Sequence, residues 1–169
     1  GYITPQEFNL FADQAQKDIF EQYFYDLNQF LRRPSNSDEY SDIIDNLREK
    51  IAVFENQGTI ANGNITAPNG LYRLGTVIAD GSEVEEVQQN EILYINKGPL
   101  TKPTVERPVY VRTGELTVEI HPTSILLADC TYVSTPLTPG WGYVVVQGKA
   151  MYDVTNTTHF QLHSSEEGE

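Results

Sequence analysis

Cysteine is nearly absent from this chain. Its 169 residues hold one, Cys130, together with one methionine, one tryptophan and three histidines. A lone cysteine rules out an internal disulfide and fits a reducing cytoplasm without demanding one. Cations are also scarce: 11 Lys and Arg stand against 24 Asp and Glu, a net charge of −13. The basic residues are scattered, with Arg32-Arg33 the only adjacent pair. Nucleic-acid binding requires cations that replace phosphate counterions, and this balance argues against it, as it does against an anionic membrane surface. No apolar run reaches membrane-spanning length, and the N-terminus lacks the basic-then-apolar layout of a signal peptide. The acidic excess keeps a protein soluble, and an acidic wall is also one along which DNA passes without sticking.

Catalytic signatures are missing as well. There is no Gly-x-Ser-x-Gly elbow, phosphate-cradling loop or dinucleotide fingerprint, since Gly58, Gly63 and Gly70 are separate turns. Cys130 lies in an apolar strand pattern, where a thiol serves as a small core side chain. His159 and His163 point the same way if their segment is extended, but four extended residues hold them roughly 13 Å apart, too far for one ion. His121, before Pro122, reads as a strand-end residue. Glu83, Glu85 and Glu86 read as a solvated strand face. Asn64-Ile65-Thr66 and Asn156-Thr157-Thr158 match a glycosylation pattern that short segments often match by chance. The reading is of a non-enzyme with no cofactor and no metal.

What is present is periodicity. Thr4-Pro5-Gln6-Glu7 is a helix start, with Thr as N-cap, Pro in the first turn and Glu closing a capping box. Behind it Phe8, Phe11, Ala12, Ala15, Ile19, Tyr23, Leu27 and Phe30 recur at steps of three or four, with Gln14, Lys17, Asp18, Glu21 and Asn28 opposite. A helix from Thr4 to Leu31 runs about 40 Å. Phe20, Phe24 and Tyr25 lie outside the narrowest stripe, and together with Trp141 they are candidates for a subunit interface, where large aromatics are favoured. Arg32 to Ser37 ends this helix at Pro34. A second helix, capped by Ser37 or Asp38, carries Tyr40, Ile43, Ile44, Leu47, Ile51 and Phe54 and stops at Gly58. The short link between the two predicts an antiparallel hairpin over 1–58.

Beyond Gly58 turn dipeptides and β-branched residues alternate. The turns Asn62-Gly63, Asp80-Gly81, Lys97-Gly98-Pro99 and Pro139-Gly140 predict short strands at 74–79, 84–87, 91–96, 109–112, 116–120, 130–134, 143–146 and 159–162. The expected architecture is α+β: the helical hairpin, then an antiparallel β-sandwich or small barrel over 59–163. Ser164 and Glu167 supply the cap and N3 acid of a helix start over 164–169, so the expectation is a C-terminal helix cut short.

Two segments carry a resemblance. Tyr2-Ile3-Thr4-Pro5-Gln6-Glu7-Phe8, running on to Tyr23-Phe24-Tyr25-Asp26, is one. The other runs from Leu71-Tyr72-Arg73-Leu74-Gly75 through Glu91-Ile92-Leu93-Tyr94-Ile95-Asn96 to Pro108-Val109-Tyr110. Both resemble virion structural proteins of crAss-like and related short-tailed phages that infect Bacteroidetes. The order of elements is similar to that of their head-to-tail adaptor proteins, which pair long helices with a β-domain and end in a helix. The resemblance implies a virion protein assembled in the host cytoplasm, forming a homo-oligomeric ring, typically a dodecamer, below the portal. Its partners are then the portal and neighbouring tail proteins, and DNA passes through the ring without sequence-specific contact. Two rivals stand beside it. A surface or secreted β-module binding glycan or protein predicts an exposed aromatic platform at Trp141 or Tyr143. A small hydrolase predicts His159 or His163 against a carboxylate or Cys130.

Overall fold

The computed structural model describes residues 2–32 and 38–166, with the backbone alone for 38–40. The chain is mixed α+β, with three α-helices and a seven-stranded sheet among the described residues. It divides into two compact units, one of residues up to Phe54 together with those from Pro136 onward, the other Glu55–Thr135.

In the first unit, α1 spans Pro5–Arg32. The Thr4 hydroxyl accepts from the Glu7 N–H at 3.2 Å, and the Glu7 carboxylate accepts from the Thr4 N–H at 2.9 Å. These bonds close the capping box and hold the exposed Glu7 carboxyl below its ordinary range. The buried face is Ala12, Gln16, Phe20, Tyr23 and Phe24. This corrects the predicted stripe: Phe11 and Ala15 are exposed, and the line of burial runs through Gln16, Phe20 and Phe24 instead. α2, Asp38–Ala52, packs on α1 through Ile44 and Ile51. The Phe54 ring, just past α2, meets Phe20 edge-on at 4.8 Å, and Phe20 meets Phe24 at 5.1 Å. The expected end of the first helix after Arg32, the capping of α2 at Ser37 and the link between the helices lie outside the described residues. The predicted stop at Gly58 is overturned: α2 ends at Ala52, and Gly58 is a strand residue.

The second unit is the sheet. Its strands are β1 (Glu55–Ala61), β2 (Asn64–Thr66), β3 (Leu71–Ala79), β4 (Ser82–Glu86), β5 (Val109–Arg112), β6 (Val118–His121) and β7 (Leu127–Ser134). They lie in the order β2-β1-β7-β3-β4-β5-β6. The two ends of that order meet. Ile65 N–H donates to Leu116 C=O and Val118 N–H to Gly63 C=O, each at 2.8 Å, and Asn64 bridges Thr117. The sheet is therefore nearly closed and barrel-like.

Alternate residues point inward, and Ile60, Ile65, Val77, Val84, Tyr110, Val118, Ile120 and Cys130 fill the interior. Glu83, Glu85 and Glu86 are exposed, as expected of a solvated face. The sheet is mixed rather than antiparallel, because β4 and β5 pair in parallel. The connection that allows this contains α3, Gln89–Ile95, where the sequence reading expected a strand over 91–96. Two features favour the helix: the Glu91 carboxylate accepts from the Gln88 N–H at 3.1 Å, and Ile92 and Ile95, three apart, turn together onto Val87, Val109 and Val111.

The strand expected at 159–162 also fails to form. Back in the first unit, β8 (Tyr143–Val146) pairs with β9 (Lys149–Tyr152) as a separate two-stranded sheet, and Thr158 bridges back to Gly140. The segment after Pro136 thus belongs with the helices, where the sequence placed it in the β-domain. The expected C-terminal helix start is a single 3-10 turn, Ser164–Glu166, and Glu167 lies outside the described residues. Three hairpins turn on the same two-residue geometry, with both central residues at positive φ: Asn62-Gly63, Asp80-Gly81 and Gln147-Gly148.

Candidate assembly surface

Two amides on α1, seven residues apart and so on one face, fix the C-terminal part of the first unit. Asn9 closes on the backbone of Trp141, its Oδ1 accepting from the Trp141 N–H at 2.6 Å and its Nδ2 donating to the Trp141 C=O at 3.4 Å. Gln16, almost wholly buried, donates to Leu137 C=O at 2.7 Å and accepts from the Gln161 N–H at 2.8 Å. The Gln161 side chain in turn accepts from the Leu137 N–H. A buried glutamine is tolerated here because both ends of its amide are satisfied. Further along the helix, Lys50 of α2 forms an ion pair with Glu166 and lies over the Tyr23 ring.

This scaffold holds the base of the β8–β9 hairpin. Gly140 and Thr158 exchange two backbone bonds of 2.9 Å, and the Asp153 N–H donates to Gly142 C=O. Asp153 also accepts from the Thr155 N–H and hydroxyl and from Asn156, which holds its exposed carboxyl below the usual range. Beyond that base, the blade has little cover. None of its eight strand residues is buried, and Val145 is 65% exposed. Beside it Phe8, Ala12, Trp141, Tyr152 and Phe160 line a mainly apolar cleft of about 360 Å³.

The residues nominated as an interface separate into two groups. Phe20 and Phe24, 2% and 7% exposed, are packed in the core of their own unit. Tyr25 is 59% exposed. Trp141 is half-buried, its ring edge-on to Phe8 at 5.9 Å. Sequence reasoning missed most of the blade, since it placed Tyr143–Val146 in the β-domain and assigned nothing to Lys149–Tyr152. The signal was present in Gln147-Gly148 between two apolar runs.

Cys130 is inside the barrel, where burial raises its thiol pKa. His121 contacts Glu119 at 3.2 Å, His163 contacts Ser165, and His159 borders the apolar cleft. Among the described residues no three His, Cys, Asp or Glu groups cluster as metal ligands, and no helix is long and apolar enough to cross a membrane.

Two phenols report on the fold. Tyr110 is pushed up to about 12 by burial and then by the Glu86 carboxylate, and Tyr23 to about 12 by burial and then by Glu166. The fold thus favours the protonated phenol at both sites. Their stabilisation is complete below pH 10, the ordinary tyrosine value, and is lost as pH rises toward about 12. Urea midpoints are expected to fall steeply across that window, with part of the tyrosinate absorbance appearing only on unfolding. Flat midpoints across it, with all tyrosines ionising together, contradict this account. The chain matches no protein-family model and no curated protein.

Proposed function

We propose that the chain is a non-enzymatic virion structural protein of a short-tailed phage, a head-to-tail connector subunit that forms a ring below the portal. The observation that carries this reading is the β8–β9 blade. It is an exposed, largely apolar two-stranded sheet on a fixed base, in a chain that is otherwise strongly acidic. Two isolated strands are marginal in water, so such a blade suits a protein that completes its structure by assembly. The acidic balance suits a wall past which DNA slides. In the same reading α1 and α2 form an antiparallel hairpin. The resemblance of the segments at Tyr2–Phe8 and Leu71–Gly75 to virion proteins supports the same assignment. The rival surface-binding module is less well served, since Trp141 is half-buried against Phe8 rather than displayed.

The test is quantitative mass spectrometry of gradient-purified particles from the phage that encodes the chain. The expected result is a copy number equal to that of the portal. Absence from particles overturns the proposal.

A further inference from the structure

We propose that the subunit junction is made by the backbone edges of the blade. The β9 edge of one copy pairs with the β8 edge of the next, so that the hairpins of a ring form one closed antiparallel sheet. The inference rests on the ring reading and specifies its contact.

The geometry follows from the turn. Val146 and Lys149 flank the two-residue loop as register partners, followed by Val145 with Ala150 and Val144 with Met151. In an antiparallel hairpin of this kind the pair next to the turn exchanges backbone bonds, and bonded and non-bonded pairs alternate from there. Val144 and Met151 therefore turn their N–H and C=O groups inward. Val145 and Ala150 turn theirs outward, along the two opposite edges. Among the described residues no third strand takes them up.

Charge selects a second copy as the occupant. Two chains of net charge −13 repel each other over most of their surfaces. The stretch Tyr143–Tyr152 carries no carboxylate, and its one charge is the cation of Lys149. A second acidic copy meets no carboxylate along it, and Lys149 is drawn to that copy's carboxylates. The edges are complementary as well. Hairpins related by rotation about a ring axis point the same way along it, so β9 of one and β8 of the next run antiparallel, as they do within one chain. A pair of copies still leaves two edges open, and only a closed ring removes them all. The strands are four residues long, so each junction is short and assembly depends on closure. The fixed base presents the edge already formed, which lowers the ordering cost of pairing.

The test separates backbone from side chain. Val145→Pro deletes one outward N–H and no bond inside the hairpin, whereas Val145→Thr keeps that N–H and changes only the side chain. Native mass spectrometry and electron microscopy of the full chain at raised concentration are expected to show rings for wild type and V145T. V145P is expected to remain monomeric with an unchanged circular dichroism spectrum. In wild-type rings the amides of Val145 and Ala150 should exchange at least about tenfold more slowly than in the monomer. Rings of V145P equal to wild type, or rings whose two amides gain no protection, overturn the edge junction and leave the ring reading standing. Equal loss in V145T and V145P also overturns it, because the side chain would then carry the contact. A wild type without rings in solution and absent from particles overturns both.

Discussion

Replacing Phe20 by alanine is expected to destabilise the helical unit by about 3–5 kcal/mol, the range for truncating a fully buried aromatic. Its ring stands edge-on between two others, Phe54 at 4.8 Å and Phe24 at 5.1 Å, and each contact is lost with it. Phe54 is itself wholly buried, so the cavity opens inside the packed core. Phe20→Leu keeps most of the volume and should cost under about 1.5 kcal/mol. Tyr25→Ser, on the exposed side of the same helix, should stay within about 0.5 kcal/mol. Urea denaturation of the three variants, with wild type as reference, checks this order. A small loss for Phe20→Ala, with association impaired instead, means that the ring is spent between copies rather than within one. The double variant with Phe54→Ala should cost less than the sum of the two single changes, because both open the same cavity.

The helix was easy to read and its face was not. The Thr4–Glu7 box is a local arrangement, so sequence spacing is enough to find it. The buried stripe depends on what lies opposite. Gln16 is polar and reads as exposed, and it is buried only because Leu137 and Gln161, 121 and 145 residues away, satisfy its amide. No local pattern announces partners so distant. The second of these bonds bears on why 159–162 is not a strand: the Gln161 N–H is taken up by the Gln16 side chain of α1 rather than by a neighbouring strand.

The sheet shows the same division. Asn62-Gly63 and Asp80-Gly81 were legible as turns because φ must be positive at both positions, and that requirement is written in residue type. β1, by contrast, has the polar sequence Glu55-Asn56-Gln57-Gly58 and only Ile60 buried, so it carries no alternating signal. It is a strand because β2 and β7 bond its backbone from both sides. α3 was misread because a short apolar run fits strand and helix alike, and the arbiter, Glu91 bonding back to Gln88, is a capping contact rather than a period. Of the β8–β9 blade, the sequence displayed the apolar content of Tyr143–Val146. That the run would be left uncovered was a matter of tertiary structure.

Closure of the barrel is where the largest remaining effect is expected. Gly63 sits at φ +78°, and a Cβ built there falls 2.5 Å from the Val118 carbonyl oxygen. The same glycine accepts the Val118 N–H at 2.8 Å, one of the bonds joining the two ends of the strand order. Gly63→Ala therefore combines two costs, about 1–2 kcal/mol for a side chain in the left-handed region and about 1–3 for forcing β6 away, or about 2–5 kcal/mol together. Gly81 separates them. Its φ is +79°, nearly the same, but nothing lies within 4 Å of the added Cβ. Gly81→Ala should lose only the conformational part, about 1–2 kcal/mol. The difference between the two variants in urea denaturation measures the clash at the seam, and the Ile65 and Val118 amides should exchange faster in Gly63→Ala alone. Equal losses with unchanged exchange would mean that the seam yields freely. The barrel would then be held by its continuous ladders from β2 round to β6, and the contact between β2 and β6 would contribute nothing beyond proximity.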